Sequence, residues 1–214
     1  ANVEVQNKTD KELVEIVNNN NYNLDEESLL HAATLVNSSE KRVEIYKAAA
    51  KANKSDRSYN NLAVEYLKAG KTSQAKEALS QIAKKEDNYY NNMGIAELQD
   101  KNYEAALNNF SKSSLKEAKV NSAIPYIITG QYQKAVQALN GSNTYNEALA
   151  NILTHNESKA NSILTANTPE QAYLRAIIAA RKGDNSKAKA ELSKASENNK
   201  LAQRSKNDIE FAKL

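Results

Sequence analysis

The chain of 214 residues has no cysteine and no tryptophan, only two prolines, two histidines, two phenylalanines and five glycines. Each shortage removes a class of chemistry. Without cysteine there is no disulfide framework, no thiolate metal site and no cysteine nucleophile. Glycine is too scarce to build a phosphate-cradling loop. No run of about 18 apolar residues occurs, so no segment is expected to span a membrane as a helix. The two histidines, His31 and His155, lie far apart and lack a paired carboxylate at ligand spacing, which argues against a metal centre. His31, amid Leu29, Leu30 and Ala33, reads as a core-edge residue, and His155 reads as a turn residue. A dominant charge is missing as well: 29 basic against 26 acidic side chains leave +3, the balance of a solvated surface. The stretch from Arg181 to Lys206 is basic, but Asp184, Glu191 and Glu197 interrupt it and no aromatic is interleaved, so nucleic acid is not an expected partner. Asp25, Glu26 and Glu27 form an acid cluster that the dipole of a helix start explains. No catalytic residue, metal ligand or cofactor is expected.

What the chain has is repetition. Gln74–Leu79, Ala105–Phe110, Lys134–Leu139, Lys159–Leu164 and Lys187–Leu192 each place a small alanine four residues before a Leu or Phe. The anchors Ala75, Ala106, Ala135, Ala160 and Ala188 follow one another at 31, 29, 25 and 28 residues. That interval marks a stacked array of helical hairpins, in which each unit buries its apolar face on its neighbours.

The spacing predicts a helix over Asp56 to Ala69 with Tyr59, Leu62, Ala63 and Tyr66 on one face, a stop at Gly70, and a second helix from Thr72 to about Lys84. The next hairpin carries Tyr90, Met93 and Gly94, then Tyr103, Ala106, Phe110 and Ser113. The third carries Ala123 and Tyr126, then Tyr132, Ala135 and Leu139. Pro125 should bend its first helix near Ile124 or make it restart close by, because proline removes a backbone bond and clashes one turn back. A short fourth hairpin spans Asn143 to Ala166, and a fifth opens at Thr168-Pro169-Glu170-Gln171, a cap signature. Upstream, Asn23 to Val36 and Ser38 to Asn53 read as a degenerate hairpin. Before them, Thr9 to Glu12 forms a capping box, and Asn18 to Asn21 reads as a loop.

Tyr59-x-x-Leu62-Ala63-x-x-Tyr66 and Tyr90-x-x-Met93-Gly94 resemble the first helix of tetratricopeptide repeats, and Tyr103-x-x-Ala106-x-x-x-Phe110-x-x-Ser113 resembles the second. The tryptophan common in the first helix is missing, and so is the proline that often closes each repeat. The resemblance implies an all-α, right-handed α-solenoid of about six hairpins. Residues 1–22 would form an N-terminal helix and Asn-rich loop, 23–198 the repeats, and 199–214 a capping helix with Leu201, Ser205, Ile209 and Ala212 on one stripe, all in a single domain. From about Leu29 to the closing Lys206–Leu214 the chain is also similar to the repeat region of Bacteroidetes cell-envelope proteins that carry OmpA-like modules. That implies an extracytoplasmic scaffold; the leading Ala1 is what a processed fragment would show.

In the family pattern, recognition falls on the inner face of the first helices. The partner-binding residues expected there are Asn60, Val64, Asn91, Ile95, Leu98, Ile127 and Tyr173. Asn60 and Asn91 occupy equivalent places, and their amides could hydrogen-bond an extended peptide backbone. The basic residues of the family's carboxylate clamp are absent. The apolar stripe there reads either as helix packing or as a groove for a partner segment. The expected function is a non-enzymatic protein-interaction scaffold with a protein or peptide partner. The competing reading is a glycan- or peptide-binding lipoprotein of nutrient uptake, against which stands the 6% aromatic content.

Overall fold

The computed structural model of the chain describes residues 8–19 and 24–214, and these are helical without any strand. In order the helices are α1 (Asp10–Asn19), α2 (Glu26–Leu35), α3 (Ser39–Asn53), α4 (Asp56–Lys68), α5 (Thr72–Ser80), α6 (Asp87–Gln99), α7 (Tyr103–Ser111) and α8 (Lys116–Asn121). They continue as α9 (Ala123–Ile128), α10 (Tyr132–Leu139), α11 (Tyr145–Leu153), α12 (Glu157–Ile163), α13 (Pro169–Arg181), α14 (Asn185–Ala195) and α15 (Asn199–Asn207), closed by a 3-10 turn at Ile209–Phe211. The helices belong to two compact units, Ala1–Asn121 and Ser122–Leu214. The boundary falls inside the 23–198 repeat region that the sequence presents as continuous.

The five alanine anchors sit on α5, α7, α10, α12 and α14, and all are fully buried. Each anchor belongs to the second helix of a hairpin, packed on α4, α6, α9, α11 and α13 in turn. Gly94 on α6 completes one such contact: a Cβ there would come within 2.5 Å of the Phe110 ring on α7. Small residues thus set how closely the paired helices approach.

The hairpin turns share one backbone solution. Two residues after the first helix ends, the chain enters the left-handed region at Gly70, Lys101, Gly130, His155 and Gly183. His155 therefore stands where three hairpins use glycine, which accounts for it as a turn residue. Many helix starts are capped by side chains as well. The Glu12 amide donates to Thr9 Oγ1 at 3.2 Å, one arm of the capping box, while the Glu12 carboxylate accepts from the Thr9 hydroxyl and not from its backbone. Asp25, Ser38, Ser55, Thr144, Asn156, Thr168, Asp184 and Asn198 each cap the helix that follows. The acid cluster at Asp25–Glu27 is thus a cap and first turn. The Ser28 hydrogen bonds hold the Asp25 carboxyl below its ordinary range.

A device the sequence reading did not anticipate ties several hairpins to the next. Asp10 accepts from the Asn37 and Ser38 amides, Asp56 from Ala83 and Lys84, and Asp87 from Ser114, in each case 27 or 28 residues downstream. A carboxylate at the start of one helix thereby satisfies the loop that leads to the next hairpin. Glu170 repeats the pattern in the second unit, accepting from the Asn198 side chain at 3.3 Å.

Three expectations need amendment, and the restart expected close to Pro125 is met. Asn18 and Asn19 belong to α1 rather than to a loop, while Asn20 and Asn21 lie outside the described residues. Helix α3 packs on α4 as well as α2, so it is shared rather than confined to one hairpin. The third hairpin's first helix is interrupted, α8 ending at Asn121 and α9 starting at Ala123, because Pro125 offers no N–H to the Asn121 carbonyl. The closing segment is not one helix over Lys200 to Lys213: α15 stops at Asn207, where Asp208 adopts extended backbone and caps the 3-10 turn. Ile209 is consequently 86% exposed, off the expected stripe, and Phe211 is buried in its place.

Candidate functional site

In the unit Ala1–Asn121 a groove of about 550 Å³ runs across the N-terminal halves of α4 and α6 to the start of α8. Its lining is amide and charge: Asn60, Asn61, Asn88, Asn91 and Asn92, with Asp56, Arg57, Lys84, Glu86 and Glu117, and Val64 and Leu115 as apolar members. The helices bring these residues together because α4 and α6 present equivalent positions one repeat apart.

The amides form a ladder. Asn92 Nδ2 on α6 donates to Asn60 Oδ1 on α4 at 3.1 Å, and Asn121 Nδ2 on α8 donates to Asn91 Oδ1 on α6 at 3.1 Å. Asn60 and Asn91 therefore play the same part, each accepting from the next helix, and they do not bond one another. Among the described residues Asn60 and Asn91 keep their own Nδ2 donors at the groove, whereas Asn92 is buried and Asn121 lies outside the lining. Four of the five charged members have partners, Glu117 being the exception among the described residues. Arg57 meets Glu27, Lys84 meets Glu86 at 2.9 Å, and Asp56 is held by the two loop amides. The bond to Glu86 raises the Lys84 pKa, and the Ser114 hydroxyl and amide lower that of Asp87 just behind the groove.

The other expected site residues are placed elsewhere. Val64 joins Asn60 and Asn91 in the groove, but Ile95 and Leu98 are half-buried in the packing between hairpins. Ile95 touches both the Leu62–Leu79 core and the Ala106–Phe110 core, so its stripe is packing and not groove. Ile127 lies half-buried on α9 in the second unit. Tyr173 requires correction. It is 1% exposed, its ring meets Phe211 edge-on at 5.4 Å, and its hydroxyl donates to Asp208. Burial, then the Asp208 bond, push its pKa far up. Tyr173 anchors the C-terminal cap and presents no surface, because α13 is enclosed by α14, α15 and the 3-10 turn. The sequence reading missed Asn61, Asn88 and Asn92; the adjacent Asn pairs at 60–61 and 91–92, one repeat apart, were the available signal.

Among the described residues, no three His, Cys, Asp or Glu side chains gather as a metal site, and no helix is long and apolar enough to cross a membrane. No family model matches the sequence, and no curated protein matches it. Among solved structures the chain is similar to a tetratricopeptide repeat protein from Parabacteroides merdae, with a TM-score of 0.62 and 15% identity over 91% of this chain and 88% of that one. The likeness is one of fold: the chain has a tetratricopeptide-like, all-α hairpin-repeat architecture.

Proposed function

We propose that the chain is a non-enzymatic scaffold that holds an extended segment of a partner protein in the asparagine-lined groove of its first unit, within a bacterial cell envelope. One observation carries the reading: Asn60 and Asn61 on α4 and Asn88 and Asn91 on α6 bring amide groups into one groove at repeat intervals, which suits a backbone whose own N–H and C=O groups recur. The groove lining contains no aromatic ring on which a sugar face could stack, which favours a peptide over a glycan as occupant. The envelope setting rests on the resemblance carried by Leu29 to Leu214, and membrane fractionation of the producing cell tests it.

Panning a random-peptide display library on the immobilised protein should enrich a family of sequences. Asn91→Asp keeps the acceptor for Asn121 and so keeps the fold, but replaces the outward donor with a charge. It should lose the enriched peptides at an unchanged urea midpoint. Glu77→Lys, on the exposed side of α5, should retain them. Retention by Asn91→Asp with loss in Glu77→Lys would move recognition to the outer helices and reject the groove.

A further inference from the structure

The connection from α10 to α11 contains the chain's one Asn-Gly pair, Asn140-Gly141. In this pair the following residue has no side chain to shield the amide from attack. Asn140 (φ −53, ψ 121) and Gly141 (φ 80) form a type II turn, closed by Ser142 N–H donating to Leu139 O at 2.8 Å. Both residues are exposed, and the Asn140 amide makes no hydrogen bond among the described residues. Beneath the turn lies Glu147, 2% exposed. Its carboxylate accepts from the Gly141 amide at 2.7 Å and from the Asn143 amide at 3.2 Å. Among the described residues no cation shares this carboxylate, and backbone N–H groups are what it accepts from.

We infer that Asn140 is a self-modification site, a spontaneous deamidation held in check by the Glu147 carboxylate. In the reaction the Gly141 nitrogen loses its proton to solvent base and attacks Cγ of Asn140. The new C–N bond closes a five-membered imide, and the Cγ–Nδ2 bond breaks as ammonia leaves. Water then opens either imide carbonyl, giving aspartate or isoaspartate. No oxidant or cofactor is needed. Ring closure requires the Gly141 nitrogen to swing toward the Asn140 side chain, which the observed turn opposes. That swing breaks the bond to Glu147 and the bond from Ser142 to Leu139. Glu147 thereby holds the nucleophile both protonated and turned away. Once the reaction occurs, a new carboxylate stands close to a buried one, and the isoaspartyl product also lengthens the backbone by a methylene. Either change should loosen the α10–α11 connection, so the turn acts as a slow, irreversible charge switch.

Mass spectrometry of the intact chain aged at neutral pH tests this, with Asn161-Ser162 on α12 as an internal reference. In urea Asn140 should convert fastest of all asparagines, and in the folded protein about tenfold more slowly than in urea. Glu147→Gln should restore most of the lost rate at Asn140 while Asn161 stays slow. Equal rates in folded and unfolded protein would overturn the clamp. So would a slower reaction in Glu147→Gln, which would make the carboxylate a base. Acceleration of Asn140 and Asn161 together would assign the effect to unfolding and reject a local role for Glu147.

Discussion

At the scale of the residue, the fold is governed by where side chains are small. Gly94 is buried with the Phe110 ring against the place its Cβ would occupy, and Phe110 is itself enclosed. Neither partner has room to retreat, so Gly94→Ala forces α6 and α7 apart even though alanine is the better helix former. The expected cost is about 1–3 kcal/mol in a urea titration. Asn108→Ala, on the exposed side of α7, should stay within about 0.5 kcal/mol of the parent. Equal effects would mean that the α6–α7 contact is not where stability is stored. The alanine anchors were legible from spacing alone because each hairpin imposes the same close approach. The Asn ladder was only half legible, since amide pairing depends on which of two adjacent asparagines turns toward the neighbouring helix. Asn91 and Asn92 divide that work between α8 and α4.

At the scale of the element, acidic residues at helix starts join one hairpin to the next. Asp87 opens α6 and holds the Ser114 hydroxyl and amide ahead of α8, and these bonds lower its pKa. A carboxyl depressed in the folded state contributes stability above its unfolded pKa and loses it as pH falls through the folded value. Asp87→Asn should therefore be less stable than the parent at neutral pH, with the gap closing below the ordinary carboxylate range. Urea midpoints taken stepwise from about pH 6 to about pH 2 would show it. Curves that remain parallel through acid would sink the assignment. Helix boundaries at Gly70, Gly130 and Gly183 were readable because glycine advertises the left-handed turn. Lys101 takes the same conformation without advertising it, and although His155 reads as a turn residue, only the backbone reveals that both match the glycines.

At the scale of the whole molecule, each unit has its own packed core. That of Ser122–Leu214 is sealed by its C-terminal segment. Tyr173 packs on Phe211 and donates to Asp208, while Arg181 reaches both Glu210 and the Ile152 carbonyl. Asp208→Asn weakens the phenol bond and the start of the 3-10 turn together. Amide hydrogen exchange should then quicken around Tyr173, Ile178 and Phe211, and stay unchanged around Ala106 and Phe110 in the first unit. Uniform acceleration across both would show that the chain opens as one cooperative body.

The sequence by itself determined the class of fold, the glycine-marked hairpin turns and the buried alanine seam. Those follow from period, capping chemistry and side-chain volume, which act over a few residues. Tertiary structure alone decided which apolar positions are surface. Ile95, Leu98 and Tyr173 share the helical face of recognition residues, yet neighbouring hairpins half-bury the first two and the returning C-terminus covers the third. It also decided that Asp208 breaks the final helix, because the partner that rewards the break, the Tyr173 hydroxyl, lies 35 residues away. Periodicity reports which face of a helix is apolar, but what packs there is set by contacts between segments distant in the chain.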